Sequence, residues 1–126
     1  MIEQVKEKMT EAFHHFNKKD GVNINDVRIK AIVGWGGKVS YALMNRDEKV
    51  RSVEFNEVVN LGMLFQSMAK NKFDAAINKV ISENKLPQMS ASVIILPAQD
   101  ISPLVHLYNG GVKIKDVEIE NLIIIN

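Results

Sequence analysis

The sequence predicts an α+β fold in which two amphipathic helices cover antiparallel strands, in one sheet or two, in the order α-β-β-β-α-β-β-β. Two segments repeat apolar residues every three or four positions, which is typical of a helix with one buried face. Each is followed by short apolar or alternating runs bounded by glycine, proline and asparagine, which is typical of strands joined by tight turns. The length of 126 residues predicts a single domain, 1–126. The order leaves open an internal repeat of two αβββ halves, 1–57 and 58–126.

The first half is predicted to begin with a helix over residues 2–19, whose apolar positions are Ile2, Val5, Met9, Ala12, Phe13 and Phe16. Lysines near its end suit the helix dipole, and Asp20-Gly21 supplies the stop. Alternation then predicts strands over residues 27–33 and 39–43, and a third strand with Val53 and Phe55 on one face. Three strands joined by short loops predict an antiparallel meander.

The second half is predicted to begin with a helix from Asn60 or Leu61 to Asn84. It ends before Leu86-Pro87, because proline disfavours helical geometry in the preceding residue. The segment 92–96, which is continuously apolar after Ser92, predicts a central strand covered on both faces. A strand over residues 104–108 leads into a tight turn, and the last strand region covers residues 112–119, with a bulge or turn at Lys115-Asp116.

Composition excludes several classes of function. With 16 basic and 15 acidic residues the net charge is +1, which is too balanced for a general polyanion binder. The absence of cysteine excludes disulfides, thiolate metal sites and cysteine nucleophiles. No basic-then-apolar leader precedes the first helix and no apolar run exceeds four residues, so we expect a cytoplasmic protein without a membrane span. The abundance of Ile, Asn and Lys is typical of AT-rich genomes, such as those of phages and low-GC bacteria.

The loop Gly34-Trp35-Gly36-Gly37 is the most informative feature, since it holds the only tryptophan of the chain between two predicted strands. Glycine suits a tight turn, but tryptophan contributes nothing to the backbone geometry of one. Its large ring is either folded back onto the core or held out as a contact residue. We predict that this loop binds another protein.

The C-terminal run Leu122-Ile123-Ile124-Ile125 is the second informative feature. An apolar strand exposed to water at a sheet edge is prone to aggregation. It therefore lies inside the sheet of its own subunit, or a partner covers it. We favour a homodimer, because two-fold dimers are the commonest oligomers.

No catalytic residue, cofactor or metal site is predicted. Glu11 and His14 have the Glu-x-x-His spacing of carboxylate-bridged metal sites, but the second helix carries no matching histidine. His15 shares the same helix surface, and a solvated helix face explains all three residues. His106 has a side chain suited to general base catalysis, but no sequence motif links it to a nucleophile.

The sequence thus favours a non-catalytic protein-interaction module, whether a binder, an inhibitor or a chaperone-like adaptor. A first alternative is a small-ligand-binding protein or minor enzyme with a pocket between the sheet and the second helix, for which the polar and aromatic candidates are Tyr41, Arg51, His106 and Tyr108. A second alternative is weak nucleic-acid binding, for which the basic candidates are Arg28, Lys30, Lys70, Lys72 and Lys79. Arginine is scarce in the chain, and this makes nucleic acid the less favoured partner.

Overall fold

Helices cover one face of a six-stranded antiparallel sheet in this computed structural model, which describes residues 2–60, 63–98 and 102–123. The elements follow the order α1 (Ile2–Asp20), β1 (Val27–Val33), β2 (Val39–Asn45), β3 (Glu48–Val53), α2 (Phe55–Val58), α3 (Met63–Glu83), β4 (Ala91–Leu96), β5 (Leu104–Asn109) and β6 (Val112–Val117). Single 3₁₀ turns lie at Trp35–Gly37 and Ile119–Asn121. The α+β class and the predicted order are confirmed, and the short helix α2 is an addition.

The alternation of apolar and polar residues gives the sheet two unlike faces. In β1, Val27, Ile29 and Ala31 are fully buried, whereas Arg28 and Lys30 point to the other side. We call the side that packs against α1 and α3 the covered face and the opposite side the open face. Large side chains of both helices, including Phe13, Phe16, Phe73 and Ile77, belong to the same core cluster as the covered face. Burial of one such side chain stabilises the fold by about 1.5–3 kcal/mol.

The strands form one sheet in the order β3-β2-β1-β4-β5-β6, so β4 is central as predicted. The expectation that it is covered on both faces is wrong. Its open-face side chains Ile94 and Leu96 are only half-buried, because the helices lie on the other side of the sheet.

The two halves of the sheet share one strand register. Leu43 faces Arg51 in the first half, and Leu107 faces Lys115 in the second. Equivalent residues of the two halves, which we call counterparts, therefore differ by 64 in residue number. One extra residue, Val50 or Ile114, bulges out next to these pairs in each half. The predicted bulge at Lys115-Asp116 thus lies one residue earlier.

Backbone conformation repeats with the same spacing. Gly21 (φ 71°) and Lys85 (φ 56°) follow the two long helices, and Arg46 (φ 52°) and Gly110 (φ 63°) begin the two hairpin turns. Positive φ is uncommon in lysine and arginine, so its recurrence reflects a shared backbone path. Lys30 and Ile94 are counterparts and also face each other across β1 and β4. An approximate two-fold axis therefore passes between them.

The segments after β3 and β6 correct two predictions. Phe55 begins helix α2 and does not extend the third strand. Leu122 and Ile123, the described part of the C-terminal run, follow the 3₁₀ turn Ile119–Asn121 and do not form a strand; both are 1% exposed in the core of the same chain. These two residues need no second copy to cover them. Ile124 and Ile125 lie outside the described residues.

Candidate functional site

The Trp35 loop is held in one conformation by hydrogen bonds at its base. The Gly34 N–H donates to the Lys38 carbonyl oxygen at 2.8 Å, and the Asn78 side chain on α3 donates to the Gly37 carbonyl oxygen at 2.8 Å. Gly36 and Gly37 have φ values of 70° and 77°, which only glycine adopts without strain. The Trp35 side chain is 97% exposed. A fixed loop thus presents an uncovered indole ring.

Trp35 is one of three strongly exposed apolar side chains at the same end of the sheet. Among the described residues, the most exposed large apolar side chains are Trp35 (97%), Met89 (93%) and Val112 (65%), followed by Leu104 at 48%. Trp35 follows the end of β1, where the antiparallel strands β4 and β6 begin. Met89 precedes β4 and Val112 starts β6. We call Trp35, Met89 and Val112 the apolar end.

The opposite end of the sheet has different chemistry at the counterparts of Met89 and Val112. The counterpart of Met89 is Asn25, and the counterpart of Val112 is Glu48; both are exposed. The repeated strands and turns therefore form equally well with polar residues at these positions. Exposed apolar side chains at one end are not a requirement of the fold.

A shallow groove of about 580 Å³ crosses the open face at the two-fold axis. Its walls are five pairs of counterparts, which are Arg28 and Ser92, Lys30 and Ile94, Met44 and Tyr108, Arg46 and Gly110, and Asp47 and Gly111. The first half contributes three cations, the carboxylate of Asp47 and the side chain of Met44, and the second contributes a ring, a hydroxyl, an aliphatic side chain and a glycine turn. The groove is symmetric in backbone and asymmetric in charge.

The cations of the groove have few anionic partners. Arg28 donates through Nη1 to the carbonyl oxygens of Asn25 and Val27, both at 2.9 Å. Burial lowers the pKa of Arg28 and the positive charge of Arg46 lowers it further, whereas the carboxylates of Asp26 and Asp47 oppose both effects. Arg46 itself pairs with Asp26 at 2.6 Å. Lys30 has no ion pair with any residue in the described part of the chain.

The four candidates for a ligand pocket between the sheet and the second helix do not line one pocket. Tyr41 and Arg51 lie on the covered face, whereas His106 and Tyr108 lie on the open face. Arg51 is engaged by Asp20 (Nε–Oδ1 2.9 Å) and Glu57 (Nη1–Oε1 3.0 Å). This contact lowers the pKa of the Asp20 carboxyl group.

Tyr41 belongs to the packing between the sheet and α3. Its ring contacts those of Phe55 and Phe73 at centroid distances of 5.8 and 6.2 Å. Its hydroxyl donates to Asp74, which also pairs with Lys70. Burial raises the pKa of Tyr41, and the hydrogen bond to Asp74 raises it further. The Tyr41 ring and its partners therefore pack where the ligand pocket between the sheet and the second helix was predicted.

His106 and Tyr108 are neighbours on β5, with ring centroids 6.5 Å apart. The Nε2 atom of His106 lies 3.3 Å from Asp116 Oδ1, and Lys113 lies 2.7 Å from the same oxygen. Burial lowers the pKa of His106, and the charge of Lys113 lowers it further. The neutral imidazole is therefore favoured near neutral pH.

The basic candidates for nucleic-acid binding do not form one patch. Arg28 and Lys30 are on the open face, whereas Lys70, Lys72 and Lys79 are on α3, which packs against the covered face. Lys70 pairs with Asp74, and Lys79 lies 3.8 Å from Glu83.

Glu11, His14 and His15 are exposed on α1. Within residues 2–60, 63–98 and 102–123, no three histidine or carboxylate side chains come together as a metal-binding group. No helix in those ranges is long and apolar enough to cross a membrane.

Comparisons of the chain with protein-family models, with curated proteins and with solved structures find no match. Function is therefore inferred from the geometry of the apolar end and of the groove.

Proposed function

We propose that this chain is a non-catalytic protein-interaction module that binds another protein through its apolar end, with Trp35 as the central contact. The observation that carries the proposal is the 97% exposure of Trp35 on a loop that Asn78 fixes to α3. Leaving a large ring in water has an unfavourable hydration free energy that binding recovers. A fixed loop also loses little conformational entropy when it binds.

The size and composition of the apolar end support this proposal. The strands β1 and β6 are three strand spacings apart, about 14 Å, so one partner surface can reach Trp35, Met89 and Val112 together. Tryptophan is enriched among the residues that contribute most to protein interfaces. Lys38 and Lys85 are exposed and lie three residues after Trp35 and four residues before Met89 in the chain. We therefore expect a partner with an apolar pocket bordered by carboxylates, in which charge steers the encounter and the apolar contacts hold the complex.

The proposal is tested by affinity capture from the source cells with wild type, Trp35→Ala and Met89→Ala. The matched controls are Asn25→Ala and Glu48→Ala, which alter the counterparts of Met89 and Val112 at the opposite end of the sheet. We expect a partner retained by wild type and both controls and lost with Trp35→Ala and Met89→Ala. Equal recovery of the same proteins with all five forms would contradict a role for the apolar end.

Direct binding is then measured with the purified partner by isothermal titration calorimetry. Removal of a central interface tryptophan costs about 2–4 kcal/mol of binding free energy. We expect this loss with Trp35→Ala and an unchanged melting temperature, since the ring contributes little to the core. A large fall in melting temperature would instead make Trp35 a structural residue.

Two further expectations belong to this proposal, namely a cytoplasmic location and self-association. If the apolar end is the surface used for self-association, Trp35→Ala converts a dimer into a monomer. Light scattering coupled to size exclusion gives the mass of both forms. A wild-type monomer would leave the apolar end for a different protein, and a dimer unaffected by Trp35→Ala would use another surface.

A further inference from the structure

The groove on the open face is a second candidate site, separate from the apolar end. It lies across the two-fold axis, and every lining residue has its counterpart on the other side. Neither half of the chain builds the groove alone. Because the backbone is repeated, the chemical difference between the two sides comes from the side chains and not from the fold.

The side built by the first half is suited to an anion. Arg28 and Lys30 are half-buried and sit two residues apart on β1, which places their Cα atoms about 6.6 Å apart on the same face. Neither has a carboxylate partner among the described residues, since Arg28 donates only to two backbone carbonyl oxygens. The carboxylates of Asp26 and Asp47 favour the charged form of Arg28 without forming an ion pair with it. The groove still has three cations and one carboxylate, so a bound anion offsets part of the cost of removing these cations from water. Arginine in particular binds the oxygens of phosphate and carboxylate groups through paired N–H donors.

The side built by the second half is suited to a ring. Tyr108 and Ile94 are half-buried and line the groove. Aromatic rings pack favourably against a tyrosine ring or an aliphatic side chain. Ser92 is buried on the same wall, where it pairs with Tyr108 and lies two residues from Ile94, and the turn at Gly110 places no side chain over the opening. This side of the groove carries no charge.

We propose that this groove binds one small organic anion, with its phosphate or carboxylate group on Arg28 and Lys30 and a planar ring against Tyr108 and Ile94. Its volume of about 580 Å³ lies within the range of about 300–1,000 Å³ typical of small-molecule sites. Arg28 and Lys30 have no ion pair among the described residues and match one anionic group, whereas a nucleic-acid strand is normally bound by a larger basic surface. The site is built from residues of both halves, and it goes beyond the interaction surface proposed above.

Phenyl phosphate is the probe that carries both groups. Titration into ¹⁵N-labelled protein is expected to shift the backbone amide signals of Arg28, Lys30, Ser92 and Tyr108. Phenol and inorganic phosphate each lack one group, and benzylamine reverses the charge. At the same concentration we expect weaker shifts with the first two and none at these amides with benzylamine.

Variants test the assigned residues. Arg28→Gln and Lys30→Gln are each expected to weaken phenyl phosphate binding about tenfold, or about 1.4 kcal/mol. Lys79→Gln on α3 removes the same charge elsewhere and is expected to bind like wild type. Trp35→Ala is also expected to bind normally, so failure of this site and failure of the apolar end are distinguishable. The dispersion of the amide spectrum checks that each variant is folded.

Several results would overturn the proposal. The first is the absence of shifts in the groove with phenyl phosphate. The second is binding of benzylamine or of inorganic phosphate as tight as that of phenyl phosphate, because the site would then not recognise both the ring and the phosphate. The third is an effect of Lys79→Gln as large as that of Arg28→Gln. Tighter binding of a twelve-residue uridine oligonucleotide at the same amides, with steep salt dependence, would replace the small ligand by a nucleic-acid strand.

Discussion

Val58 and Leu122 occupy the same place in the two halves of the chain. Each is 1% exposed, and each follows the third strand of its half, after a glutamate that precedes a short helical turn. Leu122 and Ile123 are therefore the counterparts of Val58 and Val59 and pack into the same core. A strand at the edge of the sheet and a covering partner are both unnecessary for Leu122 and Ile123.

Replacing Leu122 by alanine tests this assignment. The side chain is buried, so we expect a loss of about 2–5 kcal/mol in the free energy of unfolding. Leu104→Ala is the matched control, because Leu104 is 48% exposed and a surface change costs about 0.5 kcal/mol or less. Urea unfolding measures both. Loss of a dimer with Leu122→Ala but no loss of stability would place this side chain in an interface instead.

The sequence predicted the helices and the order of the elements along the chain because each element has a clear period, but the order of the strands within the sheet could not be derived from it. Alternation in β1 follows from one face packing on α1 and α3, and the wide apolar pattern of α3 follows from its place over the sheet. The prediction was wrong at Phe55 and Leu122, because an apolar residue that follows a strand has the same pattern as a continuation of that strand. The turns that bury these residues depend on a core that exists only in the folded chain.

The functional residues were only partly predictable. The sequence left two possibilities for Trp35, a ring folded back onto the core or a ring exposed for contact, because a glycine-rich loop does not determine whether a ring is buried. Met89 and Val112 had no local signal. The repeat offered one, because a shift of 64 aligns Leu43 with Leu107, Asn45 with Asn109, Lys49 with Lys113 and Val53-Glu54 with Val117-Glu118. Differences at the aligned positions then mark the apolar end and the two sides of the groove.

Asn78 is expected to act on the Trp35 loop without touching a partner. Its side-chain amide donates to the carbonyl oxygens of Gly37 and Asp74, so Asn78→Ala removes two hydrogen bonds of about 1 kcal/mol each, of which only the first holds the loop. The loop then has more freedom, and partner binding weakens because that freedom is lost in the complex. Fluorescence anisotropy of Trp35 measures the faster motion directly. Asn71→Ala, at an exposed position on the same helix, is the control. Unchanged anisotropy in Asn78→Ala would show that the glycine turn alone fixes the loop.

Tyr41→Phe is expected to destabilise the fold while keeping the aromatic packing. The variant retains the ring contacts with Phe55 and Phe73 but removes the hydroxyl that donates to Asp74. A partly buried carboxylate that loses a donor costs about 1–3 kcal/mol. Thermal unfolding and urea unfolding measure the loss. The double variant with Asp74→Asn distinguishes a lost hydrogen bond from altered packing. If the hydrogen bond is the cause, the loss of stability in the double variant is smaller than the sum of the losses in the two single variants. Full additivity would contradict a direct link between the two side chains.

Acidification is expected to lower stability through His106. Burial and the positive charges of Lys113 and Arg28 hold the pKa of His106 below its ordinary value of 6.5, although Asp116 opposes them. The unfolded chain therefore binds a proton at a higher pH than the folded chain does. The stability contributed by the neutral imidazole is fully present above pH 6.5 and is lost as the pH falls through the lowered pKa of the folded state. Urea unfolding at pH 7.5, 6.5 and 5.5 should give a decreasing free energy of unfolding, and His106→Gln should make that decrease smaller. His14→Gln, at an exposed position on α1, is the control for the same substitution elsewhere. A decrease of the same size in wild type and His106→Gln would assign the pH dependence to other groups.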